Sequence, residues 1–435
     1  MASLFIQEQI SMRITVLSLV FIFNLFFISA FAKNYADIIV DCKGKGDYKS
    51  ITEAIESLPM FNYGRTVIFV KNGIYEEKVR IEQNYITIKG ESRDSTIIRY
   101  SQLREDWNRN RDYVGPAVVN LEGDDIILEN LTIENSQAEV GPHAFTVYGL
   151  KPNRVIINNC NLLSKGGDTV SLWNYKNGMY YHANCYFQGA VDFVCPRGWC
   201  YIKDSKFYEV KKTAAIWHAG NYDPDQKFVL QNCSFDGVDG FELGRHHYEA
   251  QFYLLNCKFS DNMTDRNIYK VNDKNPDKNN PWYDGEREYY YNCSGEHKSY
   301  DWYRNNLDKA LGNPKPDKIT PSWTFRNKWD PESESSLHII DFEIDSQSVI
   351  LRFNEIVTVR DIPDFENKNG KKFSIKLQRF NDINRLTFLS DQKIVVDDLQ
   401  GKMKLLKGDI IASIAYVKER SIGSTFYIER EEQDN

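Results

Sequence analysis

The sequence predicts an all-β protein: a single-stranded parallel β-helix followed by a small C-terminal β-sandwich. Short runs of β-branched and aromatic residues, separated by Gly, Asn and Asp, fill residues 37–322. Six of these runs share one form, apolar residues followed by Asn or Asp, and recur about 25 residues apart on average. A second set of about seven strand-like runs begins near residue 337. The change of pattern indicates two β domains of different architecture.

The 25-residue repeat is the basis for predicting a β-helix. Its reference positions are Asn130, Asn159, Asn184, Asp204, Asn232 and Asn256. Three strands of about five residues with short turns need roughly 20–27 residues, so each repeat fits one turn of a coil of stacked parallel strands. Stacked Asn side chains would form a ladder along that coil. An antiparallel sandwich with coincidental Asn-Cys steps is the alternative interpretation.

Residues 1–32 have the pattern of an export signal. Arg13 precedes an apolar run over 14–29, and Ala30-Phe31-Ala32 forms an A-x-A cleavage site. An uncleaved anchor is the alternative, although the run is short for a stable membrane span. We therefore expect an exported protein, secreted or periplasmic, with no integral span after signal removal.

One helix is predicted near the start of the domain at 36–325. Ser50 and Glu53 form a capping box ahead of a short apolar stripe, and Pro59 ends the segment. A short amphipathic helix placed before the first turn would cover the open apolar end of a β-helix.

Eight cysteines in an exported chain permit disulfides. Four of them follow Asn in the repeat, which indicates equivalent buried positions. Cys195 and Cys200, in CPRGWC, are the pair that we expect to be covalently linked. No His lies at ligand spacing from two of these cysteines, which argues against a zinc site. We expect no cofactor.

A Pro- and charge-rich linker is predicted at 326–336, followed by the β-sandwich at 337–432. This second domain has no His/Cys constellation and either binds carbohydrate or acts as a spacer. The net charge of −7 and the lack of a basic tract argue against nucleic acid as a partner. The oligomeric state is not predicted.

Asp168 in GGDTVSLW and Asp192 in GAVDFV are the candidate catalytic pair. They lie 24 residues apart, which matches the repeat and would place them on adjacent turns. Two close carboxyls do not readily ionise together, so one holds a proton beside an anionic neighbour. A turn-forming role after Gly is the alternative for Asp168, whereas Asp192 lies in a strand-like run. Arg245, in ELGRHH, is the candidate that would hold one carboxylate ionised.

Four motifs in order resemble the pectin methylesterase family of carbohydrate esterases over about residues 36–325. GDYKSITEAIESLP and the following strands are similar to the start of that domain, GGDTVSL to its Q-D-T-L segment, GAVDFV to G-T-V-D-F-I, and LGR to L-G-R-P-W. The resemblance implies a right-handed parallel β-helix that hydrolyses methyl esters of polygalacturonate without a metal. It implies that Asp192 is the nucleophile, Asp168 the general acid and then base, and Arg245 the group that orients Asp192.

Three departures from the family pattern concern the surroundings of the pair. The two Gln that help to stabilise the oxyanion correspond to Gly167 and His143. His247 stands where the family has an aromatic Trp. About three extra residues place Trp173 near the cleft. Trp173, Trp199 and Trp217 are candidates for stacking on sugar rings, with partly buried structural roles as the alternative.

The leading hypothesis is therefore an exported pectin methylesterase acting on polygalacturonate methyl ester. A second is a β-helix protein that binds polysaccharide without turnover, because the Gln donors are missing. A third is an esterase of the same chemistry that acts on another polysaccharide ester.

Overall fold

The computed structural model describes residues 37–60, 64–220, 223–248, 250–271, 287–345, 347–375, 384–390, 392–412 and 420–428. The predicted export signal at 1–32 lies outside the described residues. None of the helices among them is long and apolar enough to span a bilayer.

The N-terminal part is a coil of short strands that run in the same direction along each face. In chain order the strands are β1 (Ile38–Val40), β2 (Thr66–Val70), β3 (Gly73–Glu76), β4 (Val79–Ile81), β5 (Ile86–Gly90), β6 (Thr96–Tyr100), β7 (Val119–Leu121), β8 (Ile126–Glu129), β9 (Thr132–Asn135), β10 (Val147–Gly149), β11 (Val155–Asn158), β12 (Asn161–Leu163), β13 (Val170–Leu172), β14 (Met179–Ala183), β15 (Tyr186–Gly189), β16 (Trp199–Lys203), β17 (Lys206–Glu209), β18 (Ala214–His218), β19 (Lys227–Gln231), β20 (Ser234–Gly237), β21 (Glu242–His246), β22 (Gln251–Leu255), β23 (Lys258–Phe259), β24 (Tyr269–Lys270), β25 (Glu288–Tyr291) and β26 (Ser294–Gly295).

These strands form three faces of a parallel β-helix. The first face is a ten-stranded sheet in the order β1-β2-β5-β8-β11-β14-β16-β19-β22-β25, and the second has nine strands in the order β26-β23-β20-β17-β15-β12-β9-β6-β3. The third face has two parts, β13-β10-β7-β4 and β18-β21-β24, which single bridges from Val194 to Val170 and to Ile216 connect. The predicted β-helix is therefore confirmed.

The repeated Asn positions form the turns between the first and second faces. Asn130, Asn159, Asn232 and Asn256 all have positive φ, a conformation that Asn tolerates better than most residues. Asn159 Nδ2 donates to Asn130 Oδ1 at 2.9 Å, and Asn256 Nδ2 donates to Asn232 Oδ1 at 3.0 Å. The predicted ladder is thus present. A buried Cys follows Asn159, Asn232 and Asn256, and the buried Leu131 follows Asn130.

Helix α1 (Ile51–Glu56) has the predicted capping box, with Ser50 accepting from Glu53 N and the Glu53 side chain accepting from Ser50 N. It buries Ile51, Ala54 and Ile55 in the main hydrophobic core. The remaining helices are α2 (Arg104–Arg109), α3 (Pro321–Thr324) and α4 (Val396–Leu399), with single 3-10 turns at Asp301–Tyr303, Leu307–Lys309 and Pro316–Lys318.

The C-terminal strands form one antiparallel sheet. They are β27 (Ile339–Asp345), β28 (Ser348–Phe353), β29 (Val357–Asn367), β30 (Lys372–Ile375), β31 (Arg385–Leu389), β32 (Gly401–Ala412) and β33 (Thr425–Ile428). Their order is β27-β28-β31-β30-β29-β32-β33, and β27 and β33, at opposite ends of this order, also lie against each other. The sheet thus curls toward a barrel around its own core. The predicted C-terminal β domain is confirmed, and its strands form one curled sheet where the sequence predicted a β-sandwich.

The segment predicted as a linker packs against the β-helix. Trp329 is buried and stacks on Phe325 with ring centroids 4.9 Å apart. Glu332 accepts a hydrogen bond from Tyr181 and pairs with Lys203 at 2.8 Å. Arg65 N donates to Val359 O at 3.2 Å, which joins the two β domains directly.

Candidate active site

The two candidate aspartates occupy equivalent positions on adjacent turns of the third face. Val170 and Val194 pair in parallel register, and Asp168 and Asp192 each lie two residues before their paired valine. Neighbouring strands in a sheet are about 4.8 Å apart. The 24-residue spacing is therefore one turn of the β-helix, and the charge of Asp192 acts directly on Asp168.

Both aspartates lie at left-handed bends. Asp168 and Asp192 each have φ +57°, and Val191 has φ +42°. The expectation that Asp192 lies within a strand is wrong, because residues 191–193 form bends and Val194 makes only isolated bridges. Asp tolerates this conformation, but a β-branched Val rarely adopts it, so the backbone is strained beside Asp192. The third face is interrupted at this point.

Arg245, on β21, holds Asp192 with two parallel hydrogen bonds. Its Nε donates to Oδ1 at 2.8 Å and its Nη2 donates to Oδ2 at 2.7 Å. Burial raises the pKa of Asp192 above its usual value, and the Arg245 guanidinium opposes that rise. A bidentate guanidinium stabilises the ionised carboxylate and fixes its orientation.

Among the described residues, no cation makes a bidentate contact with Asp168. Its Oδ2 lies 3.2 Å from His143 Nε2 and 3.9 Å from Arg104 Nη1, and the Cys195 thiol donates weakly to Oδ1 at 3.6 Å. Burial, followed by the charge of Asp192, raises the pKa of Asp168 to about 7. Asp168 is therefore the member of the pair that carries a proton near neutral pH.

His143 and Gly167 lie beside Asp168. They are on adjacent turns and are paired with each other by a single parallel β-bridge. Burial and the Arg104 charge lower the pKa of His143 to about 4, so its imidazole is neutral at pH 7. A Cβ added to Gly167 would lie 3.1 Å from Val191 O, so the backbone closely approaches this position. Gly167 offers no side-chain donor, whereas His143 Nε2 is available as one.

Arg104 and Cys195 belong to the site although sequence reasoning did not assign them to it. Arg104 begins helix α2, and its N donates to His143 O at 2.9 Å. No local motif marks it, because the long loop that carries it returns to the third face only in the folded chain. The predicted Cys195–Cys200 disulfide is wrong: both thiols are free. Cys195 lies on the third face, whereas Cys200 lies on β16 of the first face, around a corner of the coil.

The three Trp residues that are candidates for stacking on sugar rings lie on two different faces of the β-helix. Trp173 donates from Nε1 to Cys195 O at 2.8 Å, and Trp217 contacts His247 edge-on with ring centroids 5.4 Å apart. Both therefore lie on the third face close to the carboxyl pair. Trp199 lies on the first face, where its Nε1 donates to Asp225 O at 3.2 Å, so it is not part of this site.

The arrangement can combine an anionic, oriented nucleophile with a neighbouring proton donor. Asp192 fits the first role and Asp168 the second. Among the described residues, the group with metal-ligand geometry is Asp261, Glu296 and His297, at the exposed β23–β26 edge of the second face. It does not include either aspartate of the pair.

Fold and site together define a parallel β-helix protein with two neighbouring carboxyls of unlike protonation. A family model described as pectinesterase matches residues 37–254, and the chain belongs to the pectinesterase family. It is 29% identical over 223 residues to probable pectinesterase 67 of Arabidopsis thaliana, covering 48% of this chain and 61% of that protein. It is 33% identical over 160 residues to pectinesterase 31 of the same plant, covering 35% and 49%. The chain thus spans about half to six-tenths of the length of these relatives.

Solved structures show the same fold at low sequence identity. The pectin methylesterase PemA from Erwinia chrysanthemi is 19% identical with a TM-score of 0.53, over 68% of this chain and 98% of that one. The pectin methylesterase from Yersinia enterocolitica is 18% identical with a TM-score of 0.50, over 63% of this chain and 99% of that one.

Proposed function

We propose that this protein is an exported pectin methylesterase that hydrolyses methyl esters of polygalacturonate. Membership of the pectinesterase family supports the reaction class. A pectin methylesterase solved with a bound hexasaccharide has the same fold, which supports an oligosaccharide as ligand. The observation that carries the proposal is the difference between the two carboxyls. Arg245 donates hydrogen bonds to Asp192, whereas the pKa of Asp168 is raised to about 7.

In the first half of the reaction, an oxygen of ionised Asp192 attacks the ester carbonyl carbon. The carbon–methoxy bond breaks, and protonated Asp168 gives its proton to the leaving methoxide, which departs as methanol. The product on the protein is a mixed anhydride between Asp192 and the uronate. Arg245 keeps the attacking carboxylate in position throughout this half.

In the second half, Asp168 is a carboxylate and acts as a general base. It takes a proton from water as the water oxygen attacks the uronate carbonyl, and the bond to Asp192 breaks. Asp192 regains its negative charge beside Arg245, and Asp168 has regained its proton. Water and methyl ester have then become carboxylic acid and methanol.

The negative charge of each tetrahedral intermediate needs a donor. His143 Nε2, 3.2 Å from Asp168 Oδ2, is the neutral side chain placed to supply one. One preorganised donor of this type lowers the activation barrier by on the order of 3 kcal/mol. Trp173, Trp217 and His247 are proposed to line the cleft for the sugar rings.

The proposal is tested by methanol release from highly methylated pectin. Asp192→Asn removes the attacking charge at nearly constant volume and is expected to slow release by about a thousandfold or more. Asp239→Asn is a matched control on an exposed carboxyl outside the site. Equal release by wild type and Asp192→Asn would contradict the role of Asp192.

Two other functions are separated by the same assay. Gly167 contributes no donor, an observation that favours a β-helix protein that binds pectin without turnover. Pectin binding by a wild type that releases no methanol would establish that alternative. Release of a different alcohol, or of a carboxylic acid, in place of methanol would establish an esterase acting on a different polysaccharide ester.

The cellular location is part of the proposal. The apolar run at 14–29 and the A-x-A site at 30–32 support export, to the exterior or the periplasm. The N-terminal sequence of the protein isolated from its source tests this, with Lys33 as the expected first residue.

A further inference from the structure

Arg197 lies on the third face beside the carboxyl pair, three residues after the bridge at Val194. Its guanidinium carbon is 4.4 Å from the ring centroid of Trp173 and 5.6 Å from that of Trp217. Both rings belong to one small apolar cluster with Cys195. The guanidinium is thus held over two indoles, within range of Asp168, whose pKa its charge lowers.

The Arg197 guanidinium has no hydrogen-bond or ion-pair partner among the described residues. Its Nε is buried without a hydrogen-bond acceptor, and no described carboxylate lies within 4.0 Å of its nitrogens. The Nε1 of Trp217 is likewise buried without an acceptor. Buried donors almost always have an acceptor, and leaving one without a partner is costly, so two neighbouring unpaired donors indicate a missing acceptor ligand.

A uronate residue has the shape and charge that this arrangement would accept. The apolar face of a sugar ring packs on indole, and a carboxylate matches the paired N–H groups of a guanidinium. A methyl-esterified residue in the same place would offer a carbonyl acceptor but no charge. Charge-assisted hydrogen bonds are about twice as strong as neutral ones, so the site would discriminate between the two.

We propose that Arg197, held over Trp173 and Trp217, binds a free uronate carboxylate of the polymer next to the ester that is cleaved. This inference rests on the proposed function and adds a preference among substrates. Each hydrolysed ester would create a carboxylate for this position, so partly de-esterified chains would be bound more tightly than fully methylated ones.

Binding is measured by calorimetry in an Asp192→Asn background, which prevents turnover. The probes are trigalacturonate and its fully methyl-esterified form. Arg197→Gln is expected to weaken trigalacturonate binding by about tenfold to a hundredfold, and binding of the methylated form by less than about threefold. Arg197→Lys keeps the charge and is expected to retain part of the affinity. Lys258→Gln removes a charge from exposed β23 on the second face and serves as the control.

Loss of affinity for trigalacturonate alone supports the inference, and equal effects on both probes or no effect overturn it. If Arg197→Gln does not fold, the salt dependence of binding to the protein that retains Arg197 is a second test. Raising ionic strength from about 0.05 M to about 0.5 M should weaken trigalacturonate binding selectively, and equal salt dependence for both probes overturns the proposal. Methanol release by the wild type tests the proposed function separately, because these binding measurements need no turnover.

Discussion

Arg245 donates two parallel hydrogen bonds to Asp192, at 2.8 and 2.7 Å, from a strand two turns further along the β-helix. This contact makes the two stacked carboxyls unequal. Asp192 has a full positive charge against both of its oxygens, whereas Asp168 meets a neutral imidazole, a thiol and a more distant arginine. The chemistry proposed for the site depends on this difference.

Arg245→Lys keeps the charge but removes the fork that fixes Asp192. Methanol release should fall by about a hundredfold or more, because a lysine cannot hold both carboxylate oxygens. The acid limb of the pH–rate profile should also move to higher pH, since burial raises the pKa of Asp192 once the bidentate contact is lost. Arg266→Lys, at an arginine that pairs with Glu242 on the same face, is the matched control. An unmoved acid limb would contradict the assigned role of Arg245.

Asp168→Asn tests the raised pKa through stability. The pKa of Asp168 is about 7 in the folded chain against an ordinary value of 3.8, so the folded state holds more protons between these pH values. Stability from this group is therefore present below about pH 4 and is lost as pH rises toward 7. One pKa unit corresponds to about 1.4 kcal/mol, so the effect is a few kcal/mol.

The measurement is the free energy of unfolding at pH 4 and pH 8. Asp168→Asn should be more stable than wild type at pH 8 and show a smaller fall between the two pH values. The same fall in both proteins would show that Asp168 does not titrate in this window.

His143→Ala removes the side-chain donor nearest Asp168 and should lower kcat for methanol release by about a hundredfold or more. His143→Gln, which supplies an amide donor, should recover much of that loss. The pKa of His143 is lowered to about 4, so its own titration should leave no step in the rate between pH 6 and 8. Equal kcat for His143→Ala and wild type would remove His143 from the oxyanion role.

Alkylation of the denatured, unreduced protein tests the free thiols. All eight cysteines are free, so intact-mass measurement should show eight additions. The same count should be obtained after prior reduction. Six additions before reduction and eight after it would indicate a disulfide, and peptide mapping would show whether it joins Cys195 to Cys200.

The parts of the fold that were predictable arise from local rules that repeat. Asn130 and Asn159 mark turns because Asn tolerates positive φ, and the interval between such positions measures one turn of the coil. The capping box at Ser50 is equally local. The 24 residues between Asp168 and Asp192 were informative because they equal one such turn.

The features that sequence reasoning missed arise from non-local geometry. Cys195 and Cys200 are five residues apart, but a corner of the coil places them on different faces. Arg104 reaches the site through a loop, and the indoles beneath Arg197 come from segments that meet only after stacking. The strained bend at Val191 contradicts the strand propensity of GAVDFV. Local pattern cannot report any of these relationships.

The central claim, that Asp168 carries the proton while Asp192 is ionised, is tested most directly by NMR titration. Protein labelled with 13C at the Asp carboxyl carbon distinguishes this pair from Glu209, whose buried carboxyl has a pKa raised to about 9. The resonance that disappears in Asp168→Asn should titrate near pH 7, and the one that disappears in Asp192→Asn should remain ionised through that range. Titration of the Asp192 resonance near pH 7, with Asp168 already ionised, would contradict the account.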